Sequence, residues 1–195
     1  MLSVLFVCTG NICRSPLGEA FLNARSERLL GGGVRASSAG TWGREGNPPT
    51  RETVAAGAER GLDVSLHEAS PLLADRIEQA DLVLGLTAEH KDEILRMSPG
   101  AAPKVFTLKE LTALLRALDG PATGPGRDEV LARIGEAHAL RSGRERPRIP
   151  DLDVSDPMGL GIDVYRAIAA EIEEAVDGLV RDLFGVRLPA PAREV

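Results

Sequence analysis

A chain of 195 residues can bury a core without disulfide or metal staples, and it fits a single domain over residues 1–195. Its 43% hydrophobic and 27% charged residues suit a globular protein, while a formal net charge of −6 argues against a general binder of nucleic acid or anionic membrane. No apolar run approaches the roughly 20 residues of a membrane helix, and the opening MLSVLFVCTG has neither the basic flank nor the length of a signal peptide.

Ser3–Val7 is a short apolar run, the pattern of a strand buried on both faces. Pro16 opens a helix with Ser15 as its expected cap. Leu17, Ala20, Phe21, Ala24 and Leu29 form its stripe, and three glycines at 31–33 end it. Val34–Ser38 reads as a second strand and residues 39–49 as a Gly- and Pro-rich loop. Thr50 caps a helix to about Gly61, Asp81–Leu86 is a third strand, and a helix follows from about Thr87 to Met97. Lys104–Phe106 is a fourth strand, and Thr107-Leu108-Lys109-Glu110 has the capping-box spacing of a helix ending near Leu118. Residues 119–148 read as an added stretch, with a Pro/Gly linker, a short polar helix and a basic loop. It is either a solvated excursion or helical hairpin, or a flap over the active site that recruits an acidic or phosphorylated partner. A long helix lies within Gly159–Phe184, with Val164, Ile168, Ile172, Ala175, Leu179 and Leu183 on its buried side.

This order predicts an α/β fold, doubly wound, with a mainly four-stranded parallel sheet and helices on both faces. Ligands in such sheets bind beyond the C-terminal strand ends, where Cys8 stands. Cys8 and Cys13 are the only cysteines, and His67, His90 and His138 the only histidines. They make neither a secreted disulfide framework nor a good zinc site, so the expected setting is the reducing cytoplasm, with no metal and no cofactor.

The segment Cys8-Thr9-Gly10-Asn11-Ile12-Cys13-Arg14-Ser15 joins the first strand to the first helix. A loop in that position turns successive backbone N–H groups inward, and the helix N-terminus adds positive potential. The result is a phosphate-binding loop formed by Thr9, Gly10, Asn11, Ile12, Cys13 and Ser15, which Arg14 closes with a fork able to grip two phosphoryl oxygens. The same surroundings favour the thiolate of Cys8, an activated nucleophile for phosphoryl transfer. The chain has no G-x4-G-K-[ST] motif, so it lacks the lysine of a nucleotide-binding loop. An acid must protonate the leaving group. Asp151, Asp153 and Asp156 all stand in one late segment, and spacing alone does not choose among them.

The run VLFVCTGNICRSP resembles the signature of the low-molecular-weight protein-tyrosine-phosphatase family, which includes arsenate reductases and bacterial protein-arginine phosphatases. Ser38-Ala39-Gly40-Thr41, Ala80-Asp81-Leu82-Val83-Leu84 and Asp156-Pro157 fall in the family's order. The resemblance implies hydrolysis through a phosphocysteine, with Cys8 as nucleophile, Arg14 as phosphate clamp and Asp156 as general acid. Ser15 would bond the thiolate, and Asn11, Ser38 and His67 would brace the loop. It implies a phosphorylated protein as partner and phosphate, vanadate or arsenate as anion ligands. His90 and His138 receive no role.

The chain departs from tyrosine-specific relatives after Asp156-Pro157, where Met158-Gly159-Leu160-Gly161 replaces their aromatic wall. Trp42 falls near the family's aromatic substrate gate, with a partly buried loop anchor as its alternative. Ile12 matches tyrosine-type members, whereas arginine-phosphatase members tend to carry threonine. The expectation is therefore a protein-tyrosine phosphatase. The alternatives are a protein-arginine phosphatase, an arsenate reductase dependent on an external thiol because no cysteine follows Cys13, and a non-catalytic phosphate-binding module. The five-residue interval between Cys8 and Cys13 also allows a reversible disulfide.

Overall fold

The computed structural model describes residues 1–143 and 147–188. Four parallel strands, β1 (Leu2–Cys8), β2 (Val34–Gly40), β3 (Leu82–Gly85) and β4 (Val105–Thr107), stand in the order β2-β1-β3-β4. The helices are α1 (Arg14–Leu29), α2 (Arg51–Ala58), α3 (Ala74–Gln79), α4 (Ala88–Met97), α5 (Leu108–Ala117), α6 (Arg127–Ser142) and α7 (Ile162–Asp182), with a 3-10 turn at Pro99–Lys104. The six-residue α3 was not expected from the sequence, being too short to show a helical period.

Alternation along the strands divides the core into two layers. Val4, Phe6, Leu84 and Phe106 pack with residues of α1, α5 and α7, while Leu5, Val7, Val83 and Val105 pack with Ile77 of α3 and Ile94 of α4. Removing a ring such as that of fully buried Phe6 would cost roughly 3–5 kcal/mol. In register, Cys8 lies opposite Gly40 and Val7 opposite Gly85, so the ends of β1, β2 and β3 are level. Three connections meet there. Thr41 N donates to Cys8 O and Trp42 N to Thr9 O, each at 2.9 Å, and Val154 N donates to Leu86 O at 2.8 Å. A Cβ on Gly40 would meet Thr9 O at 2.6 Å, so glycine is required where β2 passes the loop after β1.

Two expectations change. Ser15 does not cap α1: the helix begins at Arg14, its N-cap Cys13 makes no side-chain bond to it, and the Ser15 hydroxyl faces the Cys8 sulfur instead. The helix over 127–142 is not a solvated excursion, because Val130, Ile134 and Ala137 are buried in the main core. Arg141 stacks 4.2 Å from the Phe106 ring centroid and donates to the carbonyls of Val105 and Ala102. Arg127 pairs with Asp81 at the N-terminal end of β3, the end opposite Cys8. Of the expected basic loop, residues 144–146 lie outside the described residues.

Candidate active site

The loop after β1 must reverse sharply to enter α1, and Asn11 makes the reversal with φ at +56°. Asparagine tolerates that conformation better than most residues, and here its side chain is bonded at both ends. Ser70 N donates to Asn11 Oδ1 at 2.8 Å, which fixes the amide's orientation. The two protons on Asn11 Nδ2 then go to Ser38 Oγ at 2.8 Å and Ser15 Oγ at 2.9 Å. Ser38 in turn donates to Glu19 Oε2, and the Asn11 carbonyl accepts from His67 Nε2 at 2.9 Å. Because the Ser15 oxygen already accepts from Asn11, its own proton is left for Cys8 Sγ, 3.0 Å away. The network aims a hydroxyl donor at the sulfur.

Cys8 is 2% exposed and Arg14 4% exposed. Arg14 Nη1 donates to Val154 O at 3.0 Å, and Nη2 donates to Asp156 Oδ2 at 2.9 Å and more weakly to Thr9 Oγ1 at 3.4 Å. Its buried Nε has no partner among the described residues. The backbone N–H groups of residues 9–13 likewise donate to no acceptor among them. An unpaired guanidinium N–H beside unpaired amides is the donor set of an oxyanion site.

The three late carboxylates separate in space. Asp151 pairs with Lys109, and Asp153 Oδ1 accepts from Ala88 N at 2.7 Å at the start of α4. Asp156 alone reaches Arg14. Its Oδ1 accepts from Met158 N at 3.1 Å, which holds the carboxylate on the turn while leaving it half exposed at the rim. Lys109 pins this segment by donating to the Asp153 carbonyl at 2.9 Å and to Glu171 at 2.6 Å. Burial opposes the charge on Lys109, but its hydrogen bonds to Asp151 and Glu171 hold the ammonium above its ordinary value.

Other candidates fall around this centre. Ile12 is half-buried against the core, and its carbonyl accepts from Thr50 N at 3.1 Å. Cys13 is buried, with its sulfur 3.8 Å from Tyr165 Oη and 3.9 Å from Thr50 Oγ1, and burial pushes its thiol up. Trp42 is 82% exposed, which removes the loop-anchor alternative. It lines a cleft of about 300 Å³ with Thr9, Thr41 and His90. His90 was missed from sequence, although its Nε2 lies 2.9 Å from Thr9 Oγ1. Its neighbours in the chain are charged, which hid its burial. Among the described residues no three His, Cys, Asp or Glu side chains gather as a metal site, and no helix is long and apolar enough to cross a membrane.

Comparison with known proteins agrees with this geometry. The family model described as low molecular weight phosphotyrosine protein phosphatase matches residues 3–136. A protein-arginine-phosphatase of Bacillus subtilis (strain 168) is 33% identical, over 93% of this chain and 97% of its own length. A low molecular weight protein-tyrosine-phosphatase of Streptomyces coelicolor is 37% identical, over 91% of this chain and 90% of its own. The crystal structure of a low molecular weight protein tyrosine phosphatase from T. tengcongensis is 34% identical, covers 94% of this chain and 100% of that one, and aligns with a TM-score of 0.70. With Cys8, the unpaired donors of its loop and Arg14, and the Asp156 carboxylate in one place, the chain belongs to the low molecular weight phosphotyrosine protein phosphatase family of cysteine-dependent phosphatases.

Proposed function

We propose that this chain hydrolyses phosphotyrosine in proteins through a phosphocysteine on Cys8. The observation that carries the reading is the convergence on one cradle of Cys8 Sγ, the Ser15 hydroxyl, the unpaired Arg14 Nε and the Asp156 carboxylate. The Cys8 thiolate attacks phosphorus, so the S–P bond forms as the P–O bond to the tyrosine breaks. Asp156, entering as the carboxylic acid, gives its proton to the departing phenolate. It then takes a proton from water as that water attacks the phosphocysteine, releasing inorganic phosphate and the thiolate. Arg14 and the cradle amides meet the charge on the equatorial oxygens throughout. For Asp156 to reach the leaving group, its contact with Arg14 Nη2 must open when the phosphoryl group enters.

Ile12 in the cradle and exposed Trp42 beside Thr9 support an apolar, planar leaving group, and exposed Met158, next but one after Asp156, offers a soft apolar surface. A second reading, phosphoarginine hydrolysis, is supported by the relatives named protein-arginine-phosphatase. Two cysteines, both free, and the phosphoprotein substrate fit a cytoplasmic enzyme. The test is a side-by-side assay of phosphotyrosine, phosphoarginine and phosphoserine peptides, with arsenate plus a thiol donor as a fourth arm. Fastest turnover of phosphotyrosine is expected. Faster turnover of phosphoarginine, or arsenate reduction without ester hydrolysis, would overturn the reading.

A further inference from the structure

Arg14 carries its charge into a site where several partners compete for one fork, and one of those partners is itself held from behind. Thr9 Oγ1 lies 3.4 Å from Arg14 Nη2 and 2.9 Å from His90 Nε2. A guanidinium only donates, so the Thr9 oxygen accepts from Arg14 and its proton turns to His90. His90 Nε2 is then the acceptor, and its Nδ1 carries the ring proton, which it donates to Thr87 Oγ1 at 2.8 Å. Thr87 is also the cap of α4, accepting the backbone N–H of His90 at 3.2 Å. A ring bonded at both nitrogens and 5% exposed cannot turn. Burial, reinforced by the charge of Arg14 and opposed by Asp156 and Asp153, pushes the imidazole down to about 4, so at neutral pH it has the free lone pair this chain requires.

We infer that His90 is a positioning residue of the active site: through the Thr9 hydroxyl it sets the orientation of the Arg14 fork that grips the phosphoryl group. The inference rests on the phosphatase reading above. Its weight falls on the loaded state. When Asp156 leaves Arg14 Nη2 for the leaving group, the polar protein contacts left on the guanidinium are the Val154 carbonyl and Thr9. Val154 is fixed by the backbone through Leu86, whereas Thr9 is an exposed loop residue whose hydroxyl has, among the described residues, His90 as its one partner besides Arg14. The first turn of α4 thereby serves both halves of the site, since Ala88 N also fixes Asp153 in the acid segment.

The test compares His90→Gln with His90→Asn. A glutamine side chain sets its amide near the position of Nε2 and can bond Thr9, while asparagine sets its amide near Nδ1 and cannot. Both lose the ring, and asparagine lacks one methylene besides, so the melting temperature of each variant is measured beside its kinetics. With p-nitrophenyl phosphate and with vanadate as inhibitor, His90→Asn is expected to lose about threefold to tenfold in kcat/KM and in vanadate affinity. His90→Gln should stay within about twofold of the starting protein, at a similar melting temperature. Thr9→Val, approached from the other side, should lose as much as His90→Asn, with no further loss in the double variant. Equal losses in the glutamine and asparagine variants, or additive losses with Thr9→Val, would overturn the inference and leave His90 as packing. If the starting protein hydrolyses no phosphomonoester, the functional reading falls alone, because the vanadate series still decides the role of His90.

Discussion

Cys8 sits beside unpaired donors, Arg14 Nε and the loop amides, that would bind an anion without it. Replacing the sulfur by oxygen therefore separates chemistry from binding. Cys8→Ser should abolish turnover of p-nitrophenyl phosphate while phosphate still binds, measured by calorimetry, since Arg14 and the amides remain. Arg14→Lys should cost on the order of 10²–10³ in kcat/KM, because an ammonium cannot reproduce the fork. Asp156→Asn should lose about 10²–10⁴ on phenyl phosphate, whose phenolate needs a proton, and much less on p-nitrophenyl phosphate, whose leaving group departs readily unassisted. Equal losses on both esters, or a larger loss in Asp151→Asn or Asp153→Asn, would transfer the acid role. By spacing these three aspartates were equivalent and the family resemblance alone singled out Asp156, since nothing in the spacing tells that Lys109 takes one carboxylate and α4 another. Cys13 tests redox control. Burial keeps its thiol protonated, so if it traps oxidised Cys8 the trapping should quicken as pH rises from 7 to 9, and Cys13→Ser should lose recovery with reductant after peroxide. Equal recovery in both proteins would leave Cys13 as packing.

At the scale of elements, the segment bearing Asp156 has no regular structure of its own and depends on what grips it. Lys109, on the first turn of α5, reaches the Asp153 carbonyl, the Asp151 carboxylate and Glu171 of α7. Lys109→Met keeps the stem but releases the segment. The expected result is a several-fold fall in kcat on phenyl phosphate with little change on p-nitrophenyl phosphate or in phosphate affinity, because only the acid is displaced. A matching fall on both esters would mean that Lys109 serves the fold alone. The alternation of strands and helices was legible because the strands and the longer helices each show a period, and the expected caps Thr50 and Thr107 do accept the N–H bonds of helix starts, as does Thr87. The Ser15 cap misled for a physical reason: its hydroxyl has a better partner in Cys8 than in its own helix. In α6 the stripe Val130, Ile134, Ala137 has helical spacing, but the charged residues between them and the Pro/Gly run before them obscured it. His90 lay hidden in the same way, on the buried side of a helix that is otherwise charged.

For the whole molecule, placing a neutral imidazole against the cradle ties stability to pH in a defined window. Free in the unfolded chain, His90 titrates near 6.5, and in the folded chain it is held down to about 4. Between those values the unfolded state binds the extra proton, so stability rises with pH there. Its contribution is complete above 6.5, lost progressively as pH falls to 4, and constant below. At about 1.4 kcal/mol for each pH unit of that gap, the loss is at most about 3.5 kcal/mol. Arg14 helps to keep the ring uncharged, and Asp153 and Asp156 resist it. His138, lowered by burial and by Arg141, acts in the same sense. The lowered carboxylates Asp81 and Asp151 act in the same direction but further down, since their unfolded values lie at 3.8. Urea unfolding at pH 7, 5.5 and 4.5 should therefore show a decline in the starting protein that His90→Gln largely abolishes and His138→Gln only trims. An unchanged decline in His90→Gln would show that the ring charges without cost in the folded state, and the polarity assigned to the Arg14–Thr9–His90 chain would be wrong with it.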